Sequence, residues 1–544
     1  MSGSCTTGPS IGGVAAFVLR NVTGCTNYGK VYVKGTFAGG TTDAQGVGVN
    51  ANFCAGGVVA QAGPSTGGAS YSVSDCHNYG ELDINSWMAT VNGTGMYFGG
   101  IAGWLNLPVS QCVNEGTIKI VTKGAANYAG GIYGQGAFAA DHLTNKGEVN
   151  VTLERDNSDT ANKQCASSYH RIGGIVGYSN IGLSESTNYG KIVVKGSSQT
   201  GVYCPLVGGV AGQAGAAFAT SNNEGDIEVD FPADGTNGLR VGGVVGHLGG
   251  ISVTDVYSKG GISVSAGTLA SNLVVGGVIG WKAGAAVLSN LSSTEAAKPI
   301  LVQVSEMNSQ FFVGGVVGRF ENETANTYSG LKNYKPLSVI VGTSTSGGYS
   351  YLGGVAACDK GGQTFTSNEN YGNVSYTGPQ KMRVGGITSY SNQGISGNKA
   401  QCDISVKATG TDFSEVGGVI AYTAATAFSD NRFSGNIDTS ESAAKVYTGG
   451  LLGKSNGNQA FNGCTFSGTL KSATGNNVPG LYVGGVHSND LKMTFGDNAK
   501  CTVGAGSKVN GAAVTELKLE NLVSQSSNDG TFTSSATLTN ISIE

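Results

Sequence analysis

The apolar positions of this chain recur with a long period. Gly-Gly followed by Val, Ile or Leu occurs at fourteen well-spaced places, 31 to 44 residues apart. The first glycines are Gly12, Gly56, Gly99, Gly130, Gly173, Gly208, Gly242, Gly276, Gly314, Gly353, Gly385, Gly417, Gly449 and Gly484. Two residues after each stands an aliphatic residue, from Val14, Val58 and Ile101 to Leu451 and Val486, and all but Leu451 are β-branched. A second element, Asn-x-Gly-x-aliphatic, follows at Asn27, Asn78, Asn114, Asn145, Asn188, Asn223 and Asn370. An apolar-x-apolar run then closes the unit, as in Val31 and Val33, Leu82 and Ile84, or Ile118 and Ile120. These runs are short and alternate at period two or are β-branched, which predicts strands; no 3.6-residue period persists.

A unit of this length cannot bury its own apolar face, so successive units must stack. The expected fold is all-β: a right-handed parallel β-helix of about fourteen three-stranded coils spanning residues 1–506. The aliphatic column should form its inner ladder. The Asn column should sit in a turn and share side-chain amide hydrogen bonds between coils. Glycine is expected at the bends because it tolerates positive φ. From Ser507 the Gly-Gly element is gone, yet Ala513 to Leu522 and Thr531 to Ile543 still alternate like strands. Residues 507–544 therefore read as a cap over the last coil edge.

The chain has 544 residues, more than one ordinary domain holds, which a solenoid growing in one dimension can accommodate. Glycine accounts for 91 of them and proline for 9, excluding collagen-like and proline-rich classes. Charged residues are sparse at 12%, the net charge is −4, and no basic run appears, so nucleic acid is not an expected partner. No eighteen-residue apolar stretch predicts a membrane span. Met1 to Ser10 lacks the charged and apolar regions of a signal peptide, so an export signal is expected upstream. Of the 11 cysteines, Cys25, Cys76 and Cys112 each stand two residues before the repeat Asn, and Cys464 occupies a similar place. They are expected to stack as small, buried, unpaired thiols.

The motif V-G-G-V-V-G, a variable turn, then N-Y-G-K-I-x-V resembles the GLUG-type repeats and related β-solenoids of bacterial surface proteins, many from gut Bacteroidetes. It is clearest at Val241 to Gly246, Val275 to Gly280 and Val313 to Gly318, and the resemblance covers roughly residues 11–506. It implies a solenoid exported to the cell surface or beyond, with adhesin-like function. The strength of the Asn-x-Gly element, and its loss from most later coils, depart from that family's pattern.

Catalytic patterns are missing from the sequence. His77, His142, His170, His247 and His487 form no metal-ligand spacing, and neither a nucleophile elbow nor a phosphate loop is present. The dense charge run Glu154-Arg155-Asp156 reads as a solvated loop. No cofactor is expected. The most suggestive feature is the column five residues after the first glycine, which includes Trp104, Tyr178, His247, Trp281, Tyr390 and Tyr422, with Gln135 and Gln213 among them. Such a column should face outward or into the bend, where rings either contact a polymer or cover the glycine-rich bend. Long segments before several Gly-Gly elements add Trp87, Tyr97, Tyr169, His170 and Arg171 on expected loops. These features point to a non-enzymatic extracellular surface solenoid, acting as scaffold or contact surface for a polymeric glycan or a host or cell-surface protein. A glycan-binding module of a carbohydrate-capture system is the alternative. A polysaccharide lyase or hydrolase would need a cluster of acids and bases on stacked coils.

Overall fold

The computed structural model describes residues 9–37, 52–63, 70–88, 95–123, 126–154, 169–196, 204–232, 238–249, 252–284, 287–321, 326–359, 361–425, 427–473, 478–488, 491–524, 537–538 and 540–544. The chain divides into two compact units, residues 1–272 and 273–544. Each is a parallel β-solenoid walled by three parallel sheets. In the first unit a coil such as Gly95–Gly99, Ala102–Leu105, Val109–Ser110, Val113–Asn114 and Ile118–Lys123 contributes one strand to the first sheet, one to the second and three short ones to the third. In the second unit the third wall is divided, and a separate ladder runs through Asn326–Ser329, Gln363–Thr366, Ile395–Ser396 and Ala427–Ser429.

Register follows the Gly-Gly elements. Gly12, Gly56, Gly99, Gly130, Gly173, Gly208 and Gly242 lie side by side on seven first-sheet strands of the first unit. Gly276, Gly314, Gly353, Gly385, Gly417 and Gly449 do so in the second. The fourteenth element departs from this pattern: Gly480, not Gly484, pairs with Gly449, and Val486 pairs with Ser455. Tyr482 therefore takes the place expected of Val486, its carbonyl accepting from the Leu451 amide. The local pattern Val-Gly-Gly-Val is four residues out of step with the coil, because Tyr482 already fills the inward site. The aliphatic column is otherwise buried throughout, apart from Val14 in the first coil of its unit. Each such side chain contributes about 1.5–3 kcal/mol of burial.

The glycines are needed for a different reason than expected. No glycine of a Gly-Gly element has positive φ. A Cβ on Gly130 would lie 2.2 Å from the Tyr133 carbonyl oxygen, and one on Gly131 2.1 Å from the Gly174 oxygen and 2.3 Å from Asn145 Cγ. Close approach of backbone and of the Asn side chain excludes any larger residue. Positive φ occurs three residues before the ladder position instead, at Gly24, Asp75, Gln111, His142, Glu185 and Thr220 in the first unit. The same bend recurs at Asn290, Gly330, Ser367, Gly397, Asp430 and Gly463 in the second.

The Asn column forms a continuous ladder in the first unit. Each Nδ2 donates to the next Oδ1 at 2.8 Å, from Asn27 through Asn78, Asn114, Asn145 and Asn188 to Asn223. Each also donates to the carbonyl two residues ahead, closing its own turn. Beside it, Cys76 and Cys112 are buried free thiols in stacked positions, whereas Cys25 is only partly buried, because it belongs to the first coil of the unit. Hydrogen bonding to Cys76, then burial, pushes the Cys112 thiol well above its ordinary range.

Near the C-terminal end, Ala512–Ala513 runs antiparallel to Lys508–Val509. The stretch expected to alternate as a strand up to Leu522 ends in a helical turn, Leu519–Leu522, that buries Leu522. Ile541–Ile543 resumes parallel pairing with Cys501–Val503.

Candidate contact groove

The column five residues after the first glycine lies on the second-sheet strands. In Ala102–Leu105 the Leu105 side chain is buried and Gly103 is covered, so strand alternation turns Trp104 outward. On the first-sheet strand before the bend, Phe98 points inward and Tyr97 outward. The two outward columns, two residues before and five after the first glycine, therefore meet outside the Gly-Gly bend. Sequence reasoning singled out one column and missed its partner; the signal was present in Tyr97, Tyr128, Arg171, Phe312, Tyr351, Arg383 and Tyr447, all at one offset.

In the first unit Trp104 stacks on Tyr97 with centroids 5.7 Å apart, and Tyr97 stacks on Tyr128 at 4.8 Å. The Arg171 guanidinium lies over Tyr128 at 4.8 Å and Tyr178 at 5.1 Å, and its Nε donates to Gln213. Trp104 Nε1 meets no acceptor among the described residues. Arg240 contacts His247 Nδ1 at 3.0 Å, and burial first, then the charges of Arg240 and Arg171, lower the His247 pKa to about 3. His247 is thus neutral near pH 7 and accepts from the guanidinium. Tyr97, His170 and Arg171 sit on strands rather than on the expected loops.

In the second unit Trp281 is 8% exposed, donates from Nε1 to Glu321 at 2.8 Å, and lies under Arg319 at 4.6 Å. Arg319 pairs with Asp359 at 2.7 Å. Tyr390 and Tyr422 flank Arg383, with centroids 5.1 and 4.0 Å from its guanidinium carbon. Arg383 pairs with Glu415 at 2.7 Å, and Glu415 also accepts from the Tyr349 hydroxyl at 3.0 Å.

The structure thus brings Trp104 and Tyr178 into one corner and Tyr390 and Tyr422 into another, but as packed rings, each partly or fully covered, not as an open row. That packing follows from the opposing column, whose rings and cations close over them. Trp87 and Tyr169 lie on the strands Leu82–Met88 and Tyr169–Gly173, and their side chains fall outside the described residues, as do Arg155 and Asp156.

More open rings follow the ladder Asn. Tyr28 is 77% exposed, Tyr79 44% and Tyr189 50%. Tyr28 and Tyr79 stack at 5.0 Å and 5°, and Tyr334 and Tyr371 repeat the arrangement at 5.0 Å and 15°. The recurrent Asn-Tyr pair was their signal. Charged residues on the same walls pair between successive coils: Lys30 with Asp83, Lys146 with Glu115, Lys191 with Glu228, Lys332 with Glu369.

Among the described residues no three His, Cys, Asp or Glu side chains gather to hold a metal ion, and no helix is long and apolar enough to cross a membrane. Compared with family models, curated proteins and solved structures, the chain matches none.

Proposed function

We propose that this chain is a non-enzymatic, extracellular or cell-surface solenoid that works as a scaffold and contact surface. The coil-to-coil ion pairs carry this reading: along the walls, charged groups join successive coils, from Lys30 and Asp83 to Lys407 and Glu441. Such pairs define register along the wall. The surface location rests on the resemblance to GLUG-type repeats. Incubating the purified chain with a panel of plant, microbial and host polysaccharides tests the reading. Retention of the chain on a polymer, or on host-cell surface protein, with no change in polymer length is expected. Release of reducing ends or unsaturated uronates would overturn it.

A glycan-binding role is the second reading. The exposed tyrosines Tyr28, Tyr79 and Tyr189 favour it, because open rings give sugar contact area at little entropic cost. Replacing the three by Ser should weaken retention on a glycan if they contribute.

A further inference from the structure

The outer corner of the second unit repeats over four coils, with three outward columns, at four and two residues before the first glycine and five after it. Between Gly353 and Gly449 these hold Tyr349, Lys381, Phe413 and Lys445; then Tyr351, Arg383, Glu415 and Tyr447; then Cys358, Tyr390, Tyr422 and Lys454. Lys381 Nζ lies 4.2 Å from the Tyr349 centroid and 4.1 Å from that of Phe413. Lys454 Nζ lies 5.0 Å from Phe413 and 4.9 Å from Tyr447. Lys454 is 6% exposed, yet the ammonium groups of Lys454, Lys381 and Lys445 make no hydrogen bond or ion pair with a described residue. Lys454 thus lies within the fields of three other cations, Arg383, Lys381 and Lys445, and of one carboxylate, Glu415, which Arg383 and Tyr349 already engage.

A buried ammonium without an anion is costly, and ring faces offset only about 0.5–2 kcal/mol of that. Burial accordingly holds the Lys454 pKa below its ordinary value, against the pull of Glu415 and with the push of Arg383, Lys381 and Lys445. The missing counter-charge has a defined layout. Lys381 and Arg383 share one coil, and Lys445 and Lys454 lie two coils on, about 10 Å along the stack. The coil between them presents Phe413 and Tyr422 on either side of the buried Glu415.

We propose that this corner binds an acidic glycan, a carboxylated or sulfated polysaccharide. One sugar ring packs on the uncovered parts of the half-buried Phe413 and Tyr422, and acidic groups on either side meet Lys381 with Arg383 and Lys445 with Lys454. The assignment rests on the contact-surface reading and narrows it to a ligand class. Two cationic rows with rings between them suit a polymer with regularly spaced anions better than a single small anion.

The test is calorimetric titration of the full chain with a hexuronate oligosaccharide, a sulfated glycosaminoglycan oligosaccharide, a neutral oligosaccharide and single-stranded oligothymidylate. One or both acidic saccharides should bind, and which one binds separates carboxylate from sulfate. Lys381→Gln with Lys454→Met should weaken that binding tenfold or more, while Lys454→Arg retains it. Lys34→Gln with Lys195→Gln, which removes equal charge from exposed sites in the first unit, should leave it unchanged. The Lys454→Met side chain keeps the buried stem, and its thermal unfolding verifies folding. Equal weakening by the Lys34 and Lys195 control overturns the site as simple charge attraction. Binding of the neutral sugar alone overturns the acidic ligand while sparing the contact reading, and oligothymidylate binding with the same variant sensitivity reassigns the corner away from glycans. Failure to bind any saccharide overturns this assignment and the glycan-binding reading together.

Discussion

In residues 1–272 the place beneath the second glycine is filled by Asn in six successive coils. In residues 273–544 it is Ser293, then Asn at 333 and 370, then Ala400, Phe433 and Phe466. The two solutions fill the same space: a Cβ on Gly131 would meet Asn145 Cγ at 2.3 Å, and one on Gly418 would meet Phe433 Cγ at 2.5 Å. They differ in what the backbone needs. In the first unit the strand breaks at each Asn, and the turn carbonyl two residues on requires a donor, which the amide supplies. In the later coils Arg432–Thr439 and Thr465–Ser472 run unbroken, so the turn no longer presents that carbonyl to an amide. A ring then serves, and Phe433 stacks on Phe466 at 6.1 Å and 6°. The amide ladder moves two residues earlier, where Asn368 donates to Asn398 and Asn398 to Asn431. The Gly-Gly bend thus takes a flat group, amide or ring, in most coils and a small one at Ser293 and Ala400, and the local backbone decides whether that group is polar.

The largest effects should ignore this difference. Ile175→Asp in the first unit and Val419→Asp in the second should each abolish cooperative unfolding, since an unpaired buried charge costs several kcal/mol. Denaturant titration with an unchanged midpoint in either variant would contradict the inward ladder. The substitutions that separate the units are Asn145→Leu and Phe433→Leu. The first leaves the neighbouring amides of Asn114 and Asn188 each short of a partner and should cost about 3 kcal/mol. The second exchanges one apolar side chain for another and should cost about 1 kcal/mol. Equal losses would mean that the amide bonds add nothing beyond shape.

Acid should act on the first unit through His170. It is fully buried, its Nδ1 accepts from Asn127 Nδ2 at 2.8 Å, and burial, reinforced by Arg171, lowers its pKa to about 4. Between pH 6.5 and 4 the unfolded chain binds the extra proton, so stability is complete above pH 6.5 and falls with acidification. The expected slope is about 1 kcal/mol per pH unit through that window. His170→Asn should flatten it in a pH series of melting curves. The smallest effect concerns the positive-φ column. Thr220 carries a β-branched side chain at φ 49°, where the second unit places glycine at Gly330, Gly397 and Gly463. Thr220→Gly should stabilise by about 0.5–1 kcal/mol; destabilisation would show that the side chain's packing outweighs the strain.

Period and composition by themselves determined that this chain stacks as a parallel solenoid, that the aliphatic column lies inside, and that the Asn side chains form a ladder. Those features are written at fixed offsets, and a stacked coil repeats an offset as a column. Other features only the tertiary structure decided. Gly484 looks like its thirteen predecessors, but register passed to Gly480, because Tyr482 fills the inward site. The left-handed bend was hidden because Asp75, Gln111, His142, Glu185 and Thr220 share no residue type, only a backbone conformation. The aromatic column gave its residues away but not its surroundings. Whether Trp104 or Tyr422 stands open depends on the column across the bend, seven residues earlier in sequence, and that opposition arises from the fold of the Gly-Gly bend rather than from any local pattern.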